Sequence, residues 1–107
     1  MSGRFAFTAE ADADVLGIWS YVAEHADTAR ADRVVADIYD ACERLADMPG
    51  MGHYRDSLLD TRHRFWGVGQ HLVVYRWQTK PLEIISIVHG ARDLAAYFAT
   101  RPGGERR

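Results

Sequence analysis

Residues 62–89 read RHRFWGVGQHLVVYRWQTKPLEIISIVH, and their hydrophobic rhythm decides the fold. Apolar side chains recur on a period near two, the repeat of a pleated strand. Three runs emerge: Arg62 to Trp66, Gln70 to Gln78 and Leu82 to His89. They are separated by Gly67-Val68-Gly69 and Thr79-Lys80-Pro81, residues that tight turns select. Consecutive strands on such short connections make an antiparallel meander. In the last run, Ile84-Ile85-Ser86-Ile87-Val88 is apolar on both faces, which predicts a strand covered on both sides.

Upstream of this stretch the period changes to 3.6. Ala11, Val15, Ile18, Trp19, Val22 and Ala26 fall on one face of a helix that opens at the N-cap Thr8 and runs to about His25. Glu10, Asp12 and Asp14 lie in its first turns, where the helix dipole favours negative charge. Asp27-Thr28 supplies a turn and a second cap. Ala31, Val34, Val35, Ile38, Ala41, Cys42, Leu45 and Ala46 then mark a second amphipathic helix, which Pro49-Gly50 stops. Two long helices joined by two or three residues lie antiparallel, as an αα-hairpin.

Arg4 to Phe7 reads as a short leading strand, and Met48 to Thr61 shows no period and reads as a loop. Beyond Gly90, Ala91 to Ala99 reads as a short last helix, with residues 100–107 a loose tail. The fold class is therefore α+β: an N-terminal strand, an α-helical hairpin packed on a mostly antiparallel sheet, and a short C-terminal helix. Trp19, Val22, Ile38, Leu45 and Val74 are the expected core between hairpin and sheet.

Composition narrows the class. The 107 residues are 48% apolar and 26% charged, an ordinary globular balance for a single domain spanning residues 1–107. One cysteine, Cys42, excludes a disulfide framework and a thiolate zinc cluster. No apolar run reaches the roughly 18 residues of a membrane span, and Met1-Ser2-Gly3-Arg4 opens no signal sequence, so a cytoplasmic domain is expected. The net charge of −2 hides a split. Residues 1–61 hold five Lys/Arg against twelve Asp/Glu, and residues 62–107 hold eight against three. A basic half of this kind can face an anionic partner, or simply reflect helices with acidic outer faces.

Little chemistry is encoded locally. Ser2, Ser20, Ser57 and Ser86 sit in no nucleophile-elbow context, and Cys42 falls on an apolar helix face. No histidine pair has the helical spacing of a metal motif; His63 and His71 could meet across the first hairpin but lack a nearby carboxylate. No metal and no cofactor are expected. Gly67-Val68-Gly69 joins two strands and opens no helix, so it is a hairpin turn rather than a phosphate loop. One constellation has the residue types of a metal-independent ribonuclease: Arg62, Arg64, Arg76, His89 and Arg92. Such an enzyme needs an acid, a base and cations for the phosphorane charge. The alternative reading takes Arg62 and Arg64 as solvated residues and Arg76 as an ion-pair partner.

The order of several short motifs is more specific than any of them. Thr8-Ala9-Glu10-Ala11-Asp12-Ala13-Asp14 is followed by Ile18-Trp19-Ser20-Tyr21-Val22-Ala23, and a long helix ends in Leu45-Ala46-Asp47-Met48-Pro49-Gly50-Met51-Gly52. Then come an Arg-rich strand, Val74-Tyr75-Arg76, and Ile84-Ile85-Ser86-Ile87-Val88-His89-Gly90-Ala91-Arg92-Asp93. Over roughly residues 5–98 this resembles the ParE branch of the RelE/ParE toxins of bacterial type II toxin–antitoxin systems.

The resemblance implies a small toxin that inhibits DNA gyrase and is neutralised by a cognate antitoxin of the ribbon-helix-helix, ParD-like type, in a hetero-oligomeric complex. Under the ParE reading Arg76, His89, Arg92 and Tyr97 are the candidate target contacts. RelE-type relatives are instead ribosome-dependent mRNA endonucleases; Arg92 and Tyr97 stand where that branch places a functional arginine and tyrosine. Acidic helices favour the ParE branch. A degenerate relative that only binds its antitoxin is the third reading. Leu16, Tyr21 and Tyr39, apolar residues beside the helix stripes, suggest a groove along the hairpin for an amphipathic antitoxin helix.

Overall fold

A computed structural model describes residues 4–55 and 60–89. Strand β1 (Phe5–Phe7) leads into helices α1 (Ala9–His25) and α2 (Thr28–Asp47). A 3-10 turn over Pro49–Met51 then precedes strands β2 (His53–Arg55), β3 (Asp60–Val68), β4 (His71–Arg76) and β5 (Leu82–His89). The five strands form one sheet in the order β1-β5-β4-β3-β2. β2 to β5 are an antiparallel meander, and β1 lies parallel to β5.

The caps form at the expected residues. Thr8 Oγ1 accepts a hydrogen bond from the Ala11 N–H (3.1 Å) and donates to the Ile85 carbonyl (2.7 Å), so one side chain both starts α1 and anchors it to β5. Asp27 Oδ1 accepts from the Arg30 N–H (2.7 Å) and starts α2. Asp14 on α1 fastens the same strand further along: its carboxylate accepts from the Ser86 hydroxyl and from the Ile87 N–H (3.0 Å).

The main core lies between hairpin and sheet. Ala11 and Val15 of α1 and Ile38, Cys42 and Leu45 of α2 meet Val73, Tyr75, Leu82, Ile84 and Ile87 of the sheet. Burial pushes the Cys42 thiol up to about 12, with Glu43 adding to the effect, so this cysteine is an inert core residue. Phe65, Val74 and Val88 form a second buried cluster with Leu72 and Ile85. Strand alternation places that cluster on the opposite face, so β5 is covered on both sides as its sequence predicts.

Four expectations need correction or fall outside the structure. The Met48–Thr61 segment is not all loop: it contains the 3-10 turn, β2 and the start of β3. A three-residue strand is too short to show a period, and β2 exists because β3 offers it a partner, pairing His53 with Phe65 across an irregular register. The first hairpin turn is Gly69-Gln70, with Gly69 at φ 59, and Gly67 and Val68 belong to β3. Two-residue hairpin loops favour glycine in that left-handed region. Val74 is buried, but on the face away from the hairpin, whereas Ile38 and Leu45 sit where expected and Trp19 and Val22 are half-buried. The last helix, Ala91 to Ala99, and the tail lie outside the described residues.

Candidate functional site

At one end of β3 and β4 the chain is tied to the Pro49–Met51 turn. The Tyr75 hydroxyl donates to the Pro49 carbonyl (2.7 Å) and accepts from the Gly52 N–H (2.9 Å). Burial pushes the Tyr75 phenol up, while the Gly52 hydrogen bond and the Arg64 charge oppose it. Gly52 is required here by close approach. A Cβ on it would meet the Phe65 carbonyl oxygen at 2.9 Å and the Tyr75 ring at 3.0 Å as well as the Tyr75 hydroxyl. Arg64 completes the knot: its Nη1 donates to the carbonyls of Gly52 (2.8 Å) and Gly50 (3.2 Å), and its guanidinium lies 4.4 Å from the Trp77 ring centre.

At the other end, His71 of β4 stands directly across from His89 of β5. Their rings are 5.5 Å apart, centre to centre, and nearly perpendicular. Burial, with the charge of His89 second, lowers the proton affinity of His71. His71 also lines a cleft of about 480 Å³ between this end of the sheet and the hairpin, with Tyr21, His25, Arg30, Arg33 and Asp37 on its helical wall.

The register decides what the five ribonuclease-type residues can do together. Arg64 is opposite Tyr75 and His89 is opposite His71, four positions further along β4. That is about 13 Å at roughly 3.3 Å per residue. Arg76 pairs with His63 on the other face of the sheet and lies 3.6 Å from Glu83, an exposed ion pair. Arg62 is exposed. Arg92 and Tyr97 lie outside the described residues. The described members of the set therefore do not converge on one point. His63 and His71 occupy opposite faces and cannot meet across the first hairpin.

The three apolar hairpin residues are exposed, Leu16 at 66%, Tyr21 at 62% and Tyr39 at 42%. They do not form one stripe. Leu16 and Tyr21 are five residues apart, about 140° around the helix at 100° per residue. Tyr21 stacks on His25 (4.0 Å) beside the cleft, and Tyr39 stacks on Phe7 (5.3 Å) at the β1 edge. Leu16 stands alone among the exposed small residues Ala13, Gly17 and Ser20, and nothing lies within 4 Å of where a Gly17 Cβ would be.

The His71–His89 pairing escaped the sequence reading because the β4–β5 register changes along the strands. Near the Lys80 turn Arg76 faces Glu83 and Tyr75 faces Ile84, a register that would carry His71 to Val88. The irregularity at Val74/Tyr75 leaves Ile85 without a partner, and from Val74 onward every pairing moves by one residue.

A helical hairpin laid on a five-stranded sheet is a fold with solved counterparts. A chain of the chromosomal ParDE TA system from P. aeruginosa shares it, at a TM-score of 0.69 and 20% identity over 83% of this chain and 99% of that one. Residues 5–94 match the model of the ParE toxin of the type II toxin–antitoxin system, parDE, and the chain belongs to that family. No curated protein matches it. Among the described residues, no helix is long and apolar enough to cross a membrane.

Proposed function

We propose that this ParE toxin acts by inhibiting DNA gyrase without cleaving RNA, and that a ParD-like antitoxin neutralises it by laying a helix on α1. The observation that carries the reading is the match of residues 5–94 to the ParE family. The chain it resembles in fold belongs to a ParDE system, which supports an antitoxin as partner. Two features of the site agree. Arg64 Nη1 is engaged by the Gly50 and Gly52 carbonyls, and Arg76 lies on the other face from His89, so the described members of the ribonuclease-type set do not gather an acid, a base and a phosphate clamp at one point. Leu16 is a large exposed apolar side chain flanked by small ones, a shape that accepts a partner helix at close range.

Induced expression in a bacterial host tests the target. DNA breaks with covalent gyrase–DNA complexes and an SOS response are expected, with messenger RNA intact; ribosome-dependent RNA cleavage lost in His89→Gln and Arg92→Ala would establish the nuclease instead. Antitoxin binding without either effect would mark a non-toxic relative. For the antitoxin surface, Leu16→Asp should weaken antitoxin affinity at least tenfold and leave the melting temperature unchanged. Unchanged affinity would move the contact elsewhere.

A further inference from the structure

The facing imidazoles at the end of the sheet are not used as a pair in the reading above. We propose that His71 and His89 bind one transition-metal dication of the zinc or copper type through a nitrogen of each ring, with the open positions taken by water or by a donor from a bound partner. The pairing is built into the backbone: the two residues are direct cross-strand partners at the end of the β4–β5 ladder. With a metal–nitrogen bond of about 2.0–2.1 Å and roughly 1.1 Å more to each ring centre, two imidazoles on a tetrahedral ion hold their centres about 5.2 Å apart. The rings here are 5.5 Å apart. Binding requires a turn of the rings from their perpendicular setting, about χ2, a broad torsion for histidine.

The surroundings suit a cation that carries its own water. His89 is exposed and His71 half-buried, so one side of the pair is open to solvent. Among the described residues neither ring has a hydrogen bond or an ion pair, and their mutual contact is the one interaction each makes. Among the described residues no third histidine, cysteine or carboxylate joins the pair, so the protein offers two nitrogen donors, a set that favours the later transition metals over magnesium.

The full-length chain, freed of metal with a chelator, is titrated calorimetrically with copper(II), zinc(II) and magnesium(II) chlorides in turn. One copper or zinc ion per chain is expected, copper the tighter, with no heat from magnesium. His89→Gln and His71→Gln should each weaken zinc binding at least tenfold, while His53→Gln, on β2, should leave it unchanged. Copper electron-spin-resonance spectra should show nitrogen coupling that is reduced in His89→Gln. His89 is exposed, so its variant should melt at the metal-free wild-type temperature and report on binding alone. Wild-type zinc affinity in His89→Gln, or equal loss in His53→Gln, would overturn the site and leave the pair as an edge-to-face ring contact.

Discussion

Tyr75 is wholly buried, yet its hydroxyl satisfies two backbone groups on a segment more than twenty residues away, the Pro49 carbonyl and the Gly52 N–H. Removing that oxygen keeps the ring's packing and strands both groups. Tyr75→Phe should therefore destabilise the fold by about 1–3 kcal/mol, the usual cost of unsatisfied buried polar groups, as read from urea midpoints. A change below about 0.5 kcal/mol would show that water replaces the hydroxyl. The knot also holds Arg64, a cation from sequence alone: its Nη1 donates to the Gly50 and Gly52 carbonyls and its guanidinium lies over Trp77. Nothing in the pattern of β3 signals this, because the carbonyls it meets come from the Pro49 turn, outside the sheet.

The helices were legible in detail and the strands less so. Both N-caps, the turn at Asp27 and the stop near Pro49 follow from local chemistry, and the α2 stripe of Ala31, Ile38, Ala41, Cys42 and Leu45 is buried as its spacing implies. Ile38 has no exposed surface and sits against the sheet, so Ile38→Ala should cost on the order of 2–5 kcal/mol in chemical denaturation. A loss under about 1 kcal/mol would mean that the hairpin closes over the gap. The faces of strands behave differently. Alternation separates Val74 from Tyr75 but does not say which side meets the hairpin, so Val74 could be placed in the core without being placed on the correct face. The exposed residues of α1 teach the same point. Leu16 and Tyr21 share a helix but not a direction, so they do not form the single stripe that their places beside the helix stripes suggested.

At the scale of the whole molecule, the charge split is partly absorbed by the fold. Of the four basic residues after residue 61 that the structure describes, Arg64 is engaged inside the fold and Arg76 lies beside Glu83, while Arg62 and Lys80 are exposed. Stability should carry a signature of the sheet end. His71 has a lowered proton affinity in the folded chain, with His89 across from it on β5, and His25, Arg30, Arg33 and Asp37 lining the adjoining cleft from the helices. A histidine depressed below its unfolded value of about 6.5 takes up its proton more readily in the unfolded chain. The stabilisation it confers is complete above that value and is lost as the pH falls below it. Urea midpoints measured with chelator present should drop between pH 7.5 and 5.5, and the drop should be smaller in His71→Gln. Equal drops would assign the pH dependence to other groups.

The sequence by itself determined the α+β class, the order of the elements from β1 through α1 and α2 to the meander, the caps, and the family that residues 5–94 match. These rest on short-range rules: periodicity, capping and turn chemistry act over a few residues and are written in the chain. Tertiary structure alone decided β2, the face on which each strand residue lies, the engagement of Arg64 and the meeting of His71 with His89. Each depends on a partner supplied from a distant part of the chain. A single unpaired residue, Ile85, moves the β4–β5 register by one and brings His89 rather than Val88 opposite His71. Side chains alternate with a period of two, so a one-residue shift reverses which of them face each other, and no local pattern in β4 or β5 announces it.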